Sequence, residues 1–249
     1  MCNILPIKMR KLIIIPTYNE RENIEAMVAK VLSLPGDYSL LVVDDGSPDG
    51  TAAIVRNLMT DHPERLFLVE REGKLGLGTA YIAGFRWALE RGYEAIYEMD
   101  CDFSHDPDDL LRLTAELESG ADVAVGSRYV SGVNVVNWPM RRLLLSYCAS
   151  RYVKCVTRMP VRDATAGFVG YRAEVLRTID LDRVGMHGYG FQIEMKYTAW
   201  RLGFKIKEVS IIFRDRTAGT SKMSGSILGE AFWGVLALRF RRFKRRGTR

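Results

Sequence analysis

Apolar and polar positions alternate along this chain in two rhythms. Five short apolar runs, at residues 12–16, 40–44, 66–69, 95–99 and 123–126, are separated by stretches with helical spacing such as 23–34 and 79–91. The runs are apolar almost throughout rather than at every second position, as expected of strands that helices cover on both faces. The pattern predicts an α/β fold: a doubly wound, mostly parallel sheet with flanking helices, receiving ligands at the carboxyl ends of its strands. After Arg128 the rhythm breaks into a Gly, Asn and Ser loop at 131–137, then a basic and apolar stretch at 138–159 expected to lie outside the sheet. Strand and helix patterns return at 166–171, 174–179, 191–202 and 205–213. No repeat, low-complexity tract or linker divides the chain, so it reads as one domain over 1–226 with an appendage at 227–249.

Composition narrows the class. A 47% hydrophobic share over 249 residues is ample for a large core and excludes bulk disorder. Cys2, Cys101, Cys148 and Cys155 form no CxxC pair and no zinc pattern, which predicts a reducing compartment without structural disulfides. The first eleven residues lack the apolar core of a secretory signal, and no run reaches the roughly 18–20 residues needed to span a bilayer. A location on the cytosolic side is therefore expected. The net charge of +6 is concentrated, with seven Lys or Arg among the last eleven residues, so an anionic partner is expected there: nucleic acid or acidic phospholipid.

The chemistry-bearing residues gather where strands should end. After the first strand comes Pro16-Thr17-Tyr18-Asn19-Glu20, which has no glycine and so excludes a dinucleotide-type pyrophosphate cradle. An aromatic ring and a carboxylate there can stack on a base and accept its N–H groups, or merely cap a helix. The second strand runs into Asp44-Asp45 and a turn in which Asp49 and Thr51 read as caps. The stretch from Lys74 to Thr79 offers a cation and flexible glycines at a helix start, suited to a diphosphate. The fourth strand ends in Asp100-Cys101-Asp102-Phe103-Ser104-His105. Two carboxylates one residue apart can hold a hard divalent cation, Mg²⁺ or Mn²⁺, that bridges a donor diphosphate. If the segment is extended, Asp102 and Ser104 face the ion and Asp100 faces the sugar or nucleotide, with His105 a turn residue.

Together these segments resemble family 2 glycosyltransferases, and within them the dolichyl-phosphate (polyprenyl-phosphate) mannose synthases. The likeness runs from Lys11 to about Ser226 through PTYNERENI (16–24), VVDDGSPDGT (42–51), KLGLGTAY (74–81), the 100–105 segment, GSRY (126–129), ATAGFVGYR (164–172) and FRDRTAGTSK (213–222). The resemblance implies a GT-A fold, a GDP-mannose donor and inversion to a β-linked mannosyl phosphate. It implies donor contacts by Pro16, Tyr18, Glu20, Val43, Asp45, Asp100, Cys101 through its backbone, Asp102, Arg128, Arg216 and Lys222, with metal ligation by Asp102 and Ser104. Asp102, Arg128, Arg216 and Lys222 are the expected catalytic set. Cys101 stands where the family usually has alanine, which is of little consequence if only its backbone touches ligand.

A phosphate monoester, with a second pKa of about 6, is already a nucleophile at pH 7, so no catalytic base is required. Positive charge is needed instead to hold two anions together. Arg128, Arg141, Arg216 and Lys222 are candidates, and Arg141 and Ser146 are the expected acceptor-phosphate contacts. Glu194 stands where the resemblance to other family 2 enzymes implies an acceptor-activating carboxylate, and a structural or positioning role is the favoured reading here. The absence of a QxxRW sequence favours transfer of a single sugar over processive synthesis.

Residues 227–240, too short to cross a bilayer, lead directly into the basic tail. They are expected to form an amphipathic helix in the membrane interface beside anionic lipids, and 138–156 invites the same reading. The expected protein is thus peripheral or monotopic on the cytoplasmic face, with no transmembrane helix. Some short forms of the family rely on a small membrane subunit. A polyprenyl-phosphate glucosyltransferase using UDP-glucose is the nearest alternative. A basic-tailed nucleic-acid-binding protein is the alternative of another class, although no recognition motif for nucleic acid occurs.

Overall fold

The computed structural model describes residues 9–215 and 225–243. In chain order the elements are β1 (Lys11–Thr17), α1 (Ile24–Ser33), β2 (Tyr38–Asp44), α2 (Thr51–Met59), β3 (Leu66–Glu70), α3 (Leu77–Glu90), β4 (Ala95–Glu98), α4 (Asp109–Glu118) and β5 (Val123–Ser127). They continue with β6 (Val135–Val136), α5 (Met140–Thr157), β7 (Val169–Arg172), α6 (Ala173–Thr178), α7 (Tyr189–Arg201), β8 (Ile206–Ser210), β9 (Phe213–Arg214) and α8 (Gly225–Phe240).

All five expected strands form. They join β7 and β8 in a seven-stranded sheet of order β3-β2-β1-β4-β7-β5-β8, in which β7 runs antiparallel to both neighbours and every other pairing is parallel. The continuous apolar runs are explained by the alternation of side chains across a sheet covered on both faces. Leu12 and Ile14 of β1, with Leu41 and Val43 of β2, enter a core built on α3, α6 and α7. Ile13, Ile15, Leu40 and Val42 enter a second core built on α1, α2 and α4. Leu12 to Ile15 are all completely buried, each contributing about 1.5–3 kcal/mol.

The segment after Arg128 leaves the sheet as expected, as α5. Together with α7 and α8 it closes a third cluster around Val153, Met159, Tyr197, Val235 and Leu238. The loop expected at 131–137 contains β6, which pairs in parallel with β9, so the apolar run at 205–213 is divided between two sheets.

The C-terminal helix exists, but its sides differ less in polarity than expected. From Phe232 to Phe240 the only charged residue is Arg239. Val235 and Leu238 are buried against the protein, while Phe232, Trp233 and Phe240 are exposed. The helix is therefore apolar toward both protein and solvent, with basic residues concentrated at its end.

Candidate active site

A cleft of about 500 Å³ opens at the carboxyl ends of β1, β2 and β4. Here the strand order departs in both directions from β1, the switch point at which open α/β sheets receive ligands.

At one end of the cleft lie Pro16, Tyr18, Glu20, Asp45, Lys74 and Gly76. The turns after β1 and β2 are stitched together: Asn19 N donates to Ser47 Oγ at 3.0 Å and Glu20 N to Thr51 Oγ1 at 3.1 Å. The two adjacent aspartates divide their roles. Asp44 accepts bonds from Thr17 Oγ1 at 2.8 Å and from Ser47 N at 2.9 Å, so it builds the turn. Asp45 lines the cleft and accepts from Arg71 Nε at 2.6 Å, while Arg71 also donates to Thr79 Oγ1 at 2.9 Å. Lys74 Nζ stands 5.0 Å from the centre of the Tyr18 ring. Asp49 accepts from the backbone of Arg21 and Thr51 and so ties the turn to the start of α2, whose N-cap is Gly50. Val43 is wholly buried in the core, so only its backbone is positioned to reach a ligand.

Asp100, Cys101 and Asp102 form the floor. The segment is not extended, because Phe103 adopts φ +57°, and Ser104 N turns back to donate to Asp102 Oδ1 at 3.0 Å. The alternation argument that placed Asp102 and Ser104 on one side therefore fails, although the turn still brings both residues together. Ser104 Oγ is buried without a hydrogen-bond partner among the described residues. The Cys101 side chain packs into the core, and burial pushes its thiol pKa well up, leaving the backbone as the part able to meet a ligand. His105 accepts the Asp100 N–H at 3.2 Å through Nδ1 and stacks on Phe168, so it braces the turn while also lining the cleft.

Arg128 lines the far wall beside its own counter-charge. Asp163 accepts from Nε at 2.7 Å and from Nη2 at 2.6 Å, and Thr165 accepts from Nη2 at 2.9 Å. Burial opposes the guanidinium charge, but Asp163 outweighs it and holds the pKa above its ordinary value. Arg128 thus braces the 163–167 wall and brings little uncompensated charge. On α5 the cation that reaches the cleft is Arg142, which stacks 4.2 Å from Trp138 and pairs with Asp215 at 2.7 Å. Arg141, its neighbour, is exposed and outside the cleft lining. Ser146 accepts from the Tyr129 hydroxyl at 2.9 Å and is likewise outside the lining. One residue along a helix turns a side chain by about 100°, which is why only one of these two adjacent arginines lines the cleft. Arg216 and Lys222 lie outside the described residues.

Beneath the floor is a chain of buried polar groups that sequence reading missed. Gln192 Nε2 donates to Glu98 Oε2 at 2.7 Å, and Lys196 Nζ donates to Ala166 O at 2.7 Å. Burial pushes the Glu98 carboxyl up to about 8 and pulls the Lys196 ammonium down to about 8. The available signal was Gln192 and Lys196 four residues apart on an otherwise buried helix. Glu194 faces elsewhere and does not line the cleft, in keeping with its structural reading.

The family model described as Glycosyl transferase family 2 matches residues 12–180. The polyprenol monophosphomannose synthase of Mycolicibacterium smegmatis is 48% identical over 231 residues, covering 91% of this chain and 87% of the relative. The undecaprenyl-phosphate mannosyltransferase of Micrococcus luteus is 45% identical over 234 residues, covering 92% and 96% respectively. Among solved structures, glucosyl-3-phosphoglycerate synthase from Mycobacterium tuberculosis, in complex with Mn²⁺, UDP-glucose and phosphoglyceric acid, superposes with a TM-score of 0.69. It is 20% identical, with 93% of this chain and 80% of that one covered, a likeness of fold.

Proposed function

This chain belongs to glycosyltransferase family 2, and we propose that it transfers mannose from GDP-mannose to a polyprenyl phosphate such as dolichyl phosphate, with inversion, at a membrane surface. The observation that carries this reading is the placement of α5. The helix sends Arg142 into the cleft and leaves Met140, Leu144, Leu145 and Tyr147 exposed outside it. Phe232, Trp233 and Phe240 of the adjoining α8 are also exposed, and Phe232 stacks on Tyr152 of α5 at 4.7 Å. A cation in the cleft beside an apolar outer surface suits an acceptor with an anionic head and a hydrocarbon chain.

The residues divide the work by charge. Tyr18 and the carboxylates of Glu20 and Asp45 suit a base and its ribose, with Lys74 beside the phosphates. Asp102, with Asp100 next to it, fits a divalent cation such as Mg²⁺ or Mn²⁺. The unpartnered Ser104 Oγ is a further oxygen donor at that turn. Among the described residues no third His, Cys, Asp or Glu joins them, so the diphosphate and water would complete the oxygen shell. Such an ion supplies charge stabilisation for the departing nucleoside diphosphate. Arg142 would hold the acceptor phosphate, and Arg216 and Lys222, which follow β9 in the sequence, would add positive charge for the two anions. That phosphate is its own nucleophile, and no side chain need remove a proton.

Membrane contact is assigned to the exposed faces of α5 and α8 and to the basic residues that follow, with anionic headgroups as partners. Among the described residues no helix is long and apolar enough to cross a membrane. Purified protein incubated with radiolabelled GDP-mannose or UDP-glucose, a polyprenyl phosphate and Mn²⁺ tests the reading. Mannosyl lipid from GDP-mannose alone is expected. Equal or preferred use of UDP-glucose would replace the donor assignment, and no lipid product with either would overturn the acceptor.

A further inference from the structure

Glu194 lies on α7 with 1% of its surface exposed. Its Oε2 accepts the backbone N–H groups of Gly185 at 3.0 Å and Met186 at 2.8 Å. Its Oε1 is paired with Arg241, the first residue past α8, and Arg241 Nη2 donates to Arg183 O at 2.6 Å. A few residues along the same loop, His187, Gly188 and Tyr189 line the catalytic cleft.

A second contact joins the same two parts without using charge. A Cβ on Gly190 would fall 2.8 Å from Met186 Cε, and one on Gly234 of α8 would fall 2.5 Å from that same atom. The Met186 side chain therefore sits in a notch made by two glycines, one from α7 and one from α8. A cavity of about 330 Å³ adjoins it, lined by Glu194, Leu238 and Arg241 among others.

We propose that Arg241, Glu194 and Met186 are positioning residues that transmit the seating of α8 to the segment 184–190, a loop and the first two residues of α7, and so set the acceptor end of the cleft. The proposal rests on the reading that this end takes a polyprenyl phosphate and that α8 meets the membrane. A buried carboxylate stripped of its cation is costly to leave in place, so loss of Arg241 drives Glu194 toward water and frees the two amides it holds. The loop then loses both its bracing and its register against Tyr189. Tyr18, Glu20 and Asp45 lie in the turns after β1 and β2, not in the elements that this contact joins, so donor binding is expected to persist. Seating α8 on a bilayer thereby favours the loop arrangement that accepts the lipid phosphate, and an unseated helix relaxes it.

The test uses the full chain as parent, Arg241→Ala, Arg241→Lys and Gly234→Ala, the last of which displaces Met186 without altering charge. Hydrogen exchange read by mass spectrometry over 184–190 tests the clamp directly. Exchange about tenfold faster in Arg241→Ala, partly restored in Arg241→Lys, is expected, and unchanged exchange overturns the clamp whatever the kinetics show. For the coupling, the KM for polyprenyl phosphate is expected to rise about tenfold in Arg241→Ala and in Gly234→Ala, with the Kd for GDP-mannose unchanged by calorimetry. Faster exchange with an unaltered acceptor KM, or equal losses for donor and acceptor, would overturn it. A parent enzyme that transfers nothing to polyprenyl phosphate would overturn the function proposed above, while the exchange measurement still decides the clamp.

Discussion

Asp45 and Arg128 carry opposite charges into one cleft, and each is held by a partner before any ligand is bound. Arg71 fixes Asp45 through a 2.6 Å bond, so replacing it with glutamine removes a charge-assisted contact on the base-binding side. Such contacts contribute about 1.5–3 kcal/mol, and Arg71→Gln is expected to raise the KM for the sugar nucleotide at least tenfold with a smaller change in kcat. Equal kinetics would remove Asp45 from donor recognition. Asp102→Ala should lower kcat by about 10²–10³-fold or more, because the leaving diphosphate loses its main carboxylate anchor for a cation. Full activity in this variant, or undiminished turnover in EDTA, would rule out the metal. Glu98 affects stability rather than turnover. Its folded pKa of about 8 exceeds the reference value of 4.5, so the folded state binds the extra proton between these limits. The resulting stabilisation is complete below about pH 4.5 and disappears as pH rises through 8. Lys196 acts in the opposite sense above pH 8. Glu98→Gln should therefore flatten the decline in melting temperature between pH 5 and 8, and an identical slope in parent and variant would refute the assignment.

At the scale of elements, α5 and α8 deserve different experiments from the ones their sequences first suggest. Deleting the C-terminal segment from Phe232 onward would also remove Val235 and Leu238 from the third cluster and Arg241 from Glu194, confounding membrane release with damage to the fold. Trp233 is 69% exposed, and Trp233→Ser should leave the melting temperature near that of the parent while weakening sedimentation with anionic vesicles. Burial of such a side chain in the interface is worth about 1.5–3 kcal/mol, a roughly tenfold or greater loss of partitioning. Undiminished vesicle binding would shift attention to Met140 and Leu144 of α5. The five N-terminal strands and the position of α5 outside the sheet were legible because long apolar runs and a change of rhythm are local signals. The β6–β9 pair was not legible, since a two-residue strand has no period and depends on a partner 78 residues away. The same limit applied to the site: the acidic turn and Tyr18 could be read locally, whereas Arg71 clamping Asp45, and Arg142 rather than Arg141 lining the cleft, depend on how helices and turns are rotated in space.

For the whole molecule, the sheet divides into a part built from local crossovers and a part that is not. β1 to β4 are joined by successive helices and make a four-stranded parallel layer. β5, next in the chain, pairs with none of them. Its neighbours are β7 and β8, and β7 is the strand inserted between it and β4. Among the described residues, the antiparallel strand is thus the only bridge in this sheet between the early layer and β5. On the ribosome the consequence is one of timing. When residue 127 has emerged, β5 has no partner and β4 presents an open edge, and both persist until residues 169–172 arrive. Unpaired edges of this kind recruit other chains, so nascent protein passes through an interval in which it depends on slow elongation or a chaperone to stay solitary. A fragment ending at residue 160 should accordingly aggregate, and a monomeric fragment with a cooperative melt would show that the early layer protects its own edge. The arrival of β7 joins the two parts and covers the edge of β4, while β5 keeps one open edge until β8 follows at residues 206–210, so this short strand narrows the exposed interval and β8 ends it for β5.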